Sequence, residues 1–451
     1  MKRIYSNLLA VFTILFLLCG SIYAQQLATV GKLFTKSEAD KLYGSVIKSV
    51  SIGSTELYPA GIKKLLLMAH YLPWFQTPAI NGFWGWHWTM NHYNPEVADS
   101  TGRRQIASHY YPLTGPYDSQ DKDILEYQVL LMKISGIDGV LVDWGSNENF
   151  NDYVLNDKGT AAIFKYIQKA GLHFSIVYED AYIKNMINAG HMKSSDALNY
   201  GKNLMNYLQN TWMYSDTYLK FGSRPVLLNF GPQYFYNSSN WDTLFSGLNQ
   251  TPLFFTEDNP LFPAAVGAFS WVPMGKSNSS GILTQSDFID YLNQFTQKST
   301  NRSYKISCAV PGFHDIYSEA GVGSSYGYLD SQNGLTFSSS LQQAVSSNFD
   351  IIQLVTWNDY GEGTIIEPTV EFGYQYLEKI QEIKKASIDS TFKFGKDDLL
   401  LPLRIYQLRK NFTNNTNVNA SLDQVFDMIV ANNISNAKMI VDSLYKLESG
   451  K

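Results

Sequence analysis

The chain has 451 residues, a formal net charge of −5, 45% hydrophobic and 14% aromatic residues, and 2 cysteines. That length supports one large core with an extension. The absence of a basic run, or of basic residues interleaved with aromatics, argues against a nucleic-acid partner, and the low cysteine count argues against a disulfide framework.

The first residues read as a signal peptide. Lys2 and Arg3 form a positive start, Leu8 to Leu18 an apolar run, and Ile22-Tyr-Ala24 a small-residue cleavage site. The run is too short for a comfortable membrane span. Cys19 suggests a lipoprotein anchor, but Leu18 stands where such signals carry a small residue, so simple cleavage after Ala24 is preferred. The expected product is secreted or periplasmic, with the cell surface as the alternative. Losing Lys2 and Arg3 leaves 33 basic against 40 acidic residues, a net charge of −7. Cys308, in an apolar strand, is then the one remaining thiol and is read as inert core. Residues 25–62 form a lead-in in which Thr35 or Ser37 would cap a short helix.

From residue 63 apolar strands alternate with amphipathic segments. Strands are expected at 65–71, 139–144, 174–179, 225–230, 253–257, 265–271, 305–310 and 351–357. Helices are expected at 121–135 with Ser119 as cap, 160–170 closed by Gly171, 198–213, 241–248, 286–298, 339–347 and 374–386. A long aromatic loop, 73–94, follows the first strand. Eight strands alternating with helices predict a (β/α)8 TIM barrel, an α/β fold, over 63–399. An open doubly wound sheet is the second architecture; it lacks a Gly-x-Gly-x-x-Gly after the first strand. Residues 400–451 read as a small helical C-terminal extension, with an Asn/Thr-rich loop at 411–419 and helices at 422–430 and 436–447.

A barrel gathers its active site at the C-terminal ends of its strands. Polar and aromatic residues collect there: His70-Tyr71, Asp143-Trp144, Tyr178-Glu179-Asp180, Asn229, Glu257-Asp258, Trp271 and Asn358-Asp359. The most informative stretch is 351–368. Ile351, Ile352, Leu354 and Val355 make a strand covered on both faces. Then Trp357-Asn-Asp-Tyr-Gly-Glu-Gly-Thr364 sets two acids, Asp359 and Glu362, among aromatics and glycines. A solvated turn rarely surrounds its acids in this way. Two carboxyls held differently, one protonated and one ionised, are what cleavage of a glycosidic bond requires.

His70-Tyr-Leu-Pro-Trp-Phe75, Ile106-Ala-Ser-His-Tyr-Tyr-Pro-Leu-Thr-Gly-Pro-Tyr-Asp-Ser119 and Trp357 to Pro368 together give a family likeness. Over about 65–385 the chain resembles glycoside hydrolase family 99, the endo-α-mannosidases and endo-α-mannanases. Family 71, the α-1,3-glucanases, is the related family. The second motif is nearer family 99. Within the third, Trp-Asn-Asp-Tyr-Gly-Glu is nearer family 71 and Glu-Gly-Thr-x-Ile-Glu-Pro nearer family 99.

The resemblance implies that Glu362 is the general acid/base. Asp359 stands where family 99 has a Glu that deprotonates the sugar's own 2-hydroxyl, giving an anhydro-sugar intermediate and net retention. Asp is one methylene shorter, which sets its carboxylate roughly 1–1.5 Å further back and leaves room for a water. Tyr71, Trp144 and Glu179 match residues lining family 99 sugar subsites, and Asn358 would bind a hydroxyl or orient Asp359. Asn229, Trp271 and Tyr360 join the substrate-binding set from position alone. For Trp144 and Trp271 packing at the barrel mouth is an equal reading, and for Glu179 a structural ion pair is the alternative.

No metal and no cofactor is expected: the histidines are scattered, His87 and His92 lie five apart, and no His-Glu-x-x-His occurs. A nucleophilic serine motif is also absent. The expected partner is an α-linked oligosaccharide or polysaccharide, α-mannan ahead of α-glucan. A non-catalytic carbohydrate-binding barrel is the second class.

Overall fold

A computed structural model describes residues 65–449. The expected leader, Cys19 and the 25–62 lead-in lie outside those residues.

Eight parallel strands form the centre: β1 Leu66–Tyr71, β2 Gly139–Trp144, β3 His173–Tyr178, β4 Arg224–Asn229, β5 Leu253–Glu257, β6 Gly267–Phe269, β7 Ile306–Ala309 and β8 Ile351–Leu354. They pair in the order β3-β2-β1-β8-β7-β6-β5-β4, and β3 also pairs with β4, Ile176 opposite Leu227, which closes the ring. The expected (β/α)8 barrel is therefore the fold. β6 is shorter than expected because only Gly267 to Phe269 keep ladder geometry. β8 stops at Leu354, since Val355 and Thr356 already start the turn into the acid-bearing loop.

The major helices are α1 Lys122–Ser135, α2 Tyr153–Lys169, α3 Ala197–Leu208, α4 Ser238–Phe245, α5 Gln285–Ser299, α6 Leu335–Ser346 and α7 Gln375–Ile383. Two local readings change. The cap of α1 is Asp121, whose carboxylate accepts from the amide of Asp123, while Ser119 Oγ accepts from Phe75 N. α2 begins at Tyr153, a full two turns before the expected start, because Tyr153 and Asn156 are buried and extend the packed face. Leu66, Met68, Val226, Leu228, Phe255, Cys308 and Ile351 belong to one buried cluster that also takes in Phe288 and Leu292 of α5. Apolar burial on that scale dominates the stability of a barrel. Burial pushes the Cys308 thiol up to about 12, as an unreactive core cysteine requires.

Beyond α7 come α8 Leu401–Asn411, α9 Thr416–Val430 and α10 Ile434–Ser449. The Asn/Thr-rich stretch is only partly a loop: Asn415 Oδ1 accepts from Val418 N and starts α9. Arg409 of α8 fixes the extension to the barrel. Its guanidinium takes both oxygens of the buried Glu126 on α1, at 2.9 and 2.8 Å, and Asp423 of α9 at 2.7 Å. Among the described residues no helix is long and apolar enough to cross a membrane.

Candidate active site

The chain leaves β8 through a loop whose backbone is pinned at both edges. Trp357 N donates to His70 O, Glu367 N to Trp357 O, and Ile366 N to Thr356 O. On the far side His314 N donates to Glu362 O and Ile316 N to Gly361 O. Gly363 has φ +68°, and a Cβ there would stand 2.6 Å from His314 O, so only glycine fits between the two segments.

Inside this frame Asp359 N donates to Thr356 Oγ1 at 2.7 Å, and Glu362 N donates to Asp359 Oδ1 at 2.9 Å. Both carboxyls face one cavity of about 430 Å³. Glu179 and Trp271 line it with them, together with His70, Trp74, Asp143, Phe230, Gln233 and Tyr317.

The two acids differ in surroundings. Burial raises the Glu362 carboxyl well above its usual range, and Asp359 and then Asp315 raise it further. Burial also raises Asp359, but the amide of Glu362 and the nearby His87 and His70 pull it back down. Glu362 is thus the better proton donor and Asp359 the more readily ionised partner. Glu179 is likewise raised, by burial first and then by Asp143, and accepts a hydrogen bond from Gln233 Nε2 at 3.3 Å.

Five of the expected substrate-binding residues are not brought into the cavity; each is buried below or behind it. Tyr71 donates to Gln128 Oε1 at 2.8 Å. Trp144 lies flat against Tyr207 and donates to Asp157 Oδ1. Asn229 Nδ2 donates to Tyr178 O. Asn358 is spent on the main chain of Leu72 and on the Tyr117 hydroxyl, so it does not hold Asp359. Tyr360 packs against Phe75 and Trp88 and donates to Glu367 at 2.8 Å. For Tyr71, Trp144 and Asn229 the cause is alternation, since neighbouring residues of a strand point to opposite faces, whereas Asn358 and Tyr360 lie in the loop after β8 and are held by Leu72, Tyr117 and Glu367.

Under the loop sits Glu367, which takes donors from Tyr117, Tyr360 and Gln128 at 2.7 to 2.8 Å. Burial pushes its carboxyl up to about 7 against those hydrogen bonds.

Tyr317 and Gln233 had no sequence motif behind them. Gln233 comes from the loop after β4, whose amides at Gln233, Tyr234 and Phe235 all donate to the Asp180 carboxylate at 2.8 to 2.9 Å. Tyr317 comes from the loop after β7, where Phe313-His-Asp-Ile-Tyr317 carries the same aromatic-polar signature as the other seven strand ends, a few residues further from its strand.

Among the described residues, one trio could supply metal-ligand atoms. His109, His314 and Glu319 hold their donor atoms within 4.8 Å of one another. The imidazoles are stacked parallel, 3.6 Å between centroids at 5°. Ring nitrogens bind cations in the ring plane, so one ion cannot meet both rings in this stack. The trio is not part of the cavity lining and supplies no step here.

No family model matches the chain. A glycoprotein endo-α-1,2-mannosidase-like protein from Mus musculus is 23% identical over 358 residues, covering 71% of this chain and 74% of that one. A protein of the same description from Danio rerio is 24% identical over 347 residues, covering 66% and 70%. In fold, the chain matches the GH99 endo-α-mannosidase of Bacteroides thetaiotaomicron, solved in complex with BIS-TRIS-propane, with a TM-score of 0.53 at 17% identity over 71% of this chain and 98% of that one. The relatives' description and the shared barrel agree with the family 99 resemblance read from the motifs, and the chain has the (β/α)8 fold of those solved endo-α-mannosidases.

Proposed function

We propose that this protein hydrolyses an α-linked polysaccharide within the cleft of its barrel, α-mannan being the first substrate class, with Glu362 and Asp359 as the catalytic pair. The observation that carries this reading is that both carboxyls face one aromatic-walled cavity while their surroundings differ in the sense that separates an acid from a base.

Glu362 protonates the departing glycosidic oxygen as the C1–O bond breaks. Asp359 takes the proton from the oxygen that attacks C1. If that oxygen is the sugar's own 2-hydroxyl, an anhydro-sugar forms; water then opens it, Glu362 removing the water proton and Asp359 returning one to the 2-oxygen, with retention. If the attacking oxygen is a water seated beside the shorter Asp359, the product is inverted. Trp271, held edge-on by His70 at 4.7 Å and Phe230 at 4.9 Å, presents an apolar face for a sugar ring. Glu179 and Gln233 offer hydroxyl partners. The leader reading makes the setting extracytoplasmic.

An α-1,3-glucan is the second substrate reading, favoured by the Trp357 to Glu362 wording with Asp at 359. Incubation with α-mannan and α-1,3-glucan, followed by NMR of the first anomer released, tests both substrate and stereochemistry. Full activity in Asp359→Asn removes Asp359 from the mechanism. Glycan binding without cleavage, unchanged in Glu362→Gln, replaces the enzyme with a binding barrel.

A further inference from the structure

Residues 77–94, on the loop after β1, include five Phe, Trp or Tyr and two His, and not one Asp, Glu, Lys or Arg. Part of this loop is core: Trp88 is fully buried beside Phe75 and Tyr360. Another part is not. Ile80, Phe83 and Trp86 are 49%, 49% and 39% exposed.

Their exposure does not come from a slack loop. Asp118 Oδ2 accepts from Thr77 N at 2.7 Å and from Asn81 Nδ2 at 2.8 Å. Gly85 N donates to Gln76 O, and a Cβ on Gly85 would strike Gln76 Oε1 at 2.1 Å. The aromatics are presented on a fixed support, so holding them out costs no further ordering on binding.

Of the exposed residues, Trp86 connects to the cleft. Trp74 lines the cavity. Its ring stacks on His87 at 4.1 Å and 3°, and His87 meets Trp86 edge-on at 5.0 Å. A row of rings therefore runs from the cavity wall to the outer surface.

We infer that the Ile80–Phe83–Trp86 shelf is a second sugar-binding surface, receiving units of the α-linked chain beyond those seated in the cleft. The apolar C–H face of a pyranose matches a flat indole or phenyl ring. Ile80, Phe83 and Trp86 carry no formal charge themselves, the charged groups nearby being held on Trp84 (Glu96, Arg104) and on His87 (Asp152), and a neutral polyol needs no counter-charge. The ligand class rests on the glycosidase reading; the shelf itself does not.

The test compares the intact chain with the double variant Phe83→Ala/Trp86→Ala. Because both side chains are half out of the fold, the melting temperature should not move. On polysaccharide the variant should show a KM raised about tenfold with kcat unchanged. On the shortest oligosaccharide the wild type cleaves, both constants should stay the same. An equal rise on both substrates, or none on either, overturns the shelf. Retention on insoluble α-mannan and α-1,3-glucan, measured in a Glu362→Gln background, separates the two readings. Retention lost with the double substitution supports the shelf even if no glycan is ever cleaved, and retention untouched by it refutes the shelf. Binding to phosphatidylcholine vesicles that the double substitution abolishes, with glycan retention unchanged, assigns the surface to lipid instead.

Discussion

The main-chain amide of Glu362 donates to Oδ1 of Asp359 at 2.9 Å, so one acid of the pair is held by the peptide group of the other. That hydrogen bond favours the ionised form of Asp359 and does nothing for Glu362, whose side chain meets only burial and like charge. The rate should therefore follow a bell-shaped pH profile. Its acid limb marks protonation of Asp359, above the ordinary Asp range, and its alkaline limb marks ionisation of Glu362. In Asp359→Asn and Glu362→Gln, kcat should fall by about 10²–10⁴-fold, with a smaller change in KM. A profile whose alkaline limb survives in Glu362→Gln at comparable rate rejects this assignment.

The same burial gives a stability signature. The folded state holds the Glu362 proton more tightly than the unfolded chain, so its pKa is raised on folding. Stability from this group is present below the unfolded value, near 4.5, and declines as pH rises through the folded one. Glu362→Gln cannot ionise. Its melting temperature should match the wild type near pH 4 and exceed it by on the order of 1–3 °C at pH 7–8. Thermal melts at both values check the sign; a variant less stable at pH 7 than the wild type goes against it.

Asp180 orients the wall that carries Gln233. Its carboxylate accepts from the amides of Gln233, Tyr234 and Phe235 and from Asn229 Nδ2. Asp180→Ala strands these donors and should cost about 2–4 kcal/mol in urea denaturation. Weaker glycan binding should accompany the loss, because Gln233 would no longer be fixed against Glu179. Unchanged stability would mean that the loop finds other acceptors.

Glu126 is buried, and burial raises its carboxyl against the pull of Arg409. Removing the partner leaves a buried acid unpaired, so Arg409→Ala should destabilise by about 3–5 kcal/mol. Replacing the pair together, Glu126→Leu with Arg409→Met, should recover most of that. Deleting residues 401–451 should also destabilise, by a different route: Glu126 becomes hydrated, but the face of α1 on which α8 and α9 pack is uncovered. Denaturation midpoints of the three proteins decide it.

The strands were legible because a parallel barrel buries each of them on both faces, and runs such as Val140–Val142, Val226–Leu228 and Ile351–Leu354 have few other ways to be satisfied. Asp359 and Glu362 were legible because acids set among Trp357, Tyr360, Gly361 and Gly363 make little sense as a surface turn. Boundaries were less so: the start of α2 depends on Tyr153 and Asn156 finding neighbours distant in sequence, and the cap of α1 on whether Ser119 is already engaged by Phe75.

What sequence by itself determined is the strand count, the order of elements and the acidic loop, since these follow from local periodicity and residue type. Tertiary structure alone decided which strand-end side chains enter the cavity. Glu179 and Trp271, each just past a strand end, line the cavity while Tyr71, Trp144 and Asn229, the last residues of their strands, are buried away from it, because successive residues of extended chain point to opposite sides and only closure of the ring fixes which side is which.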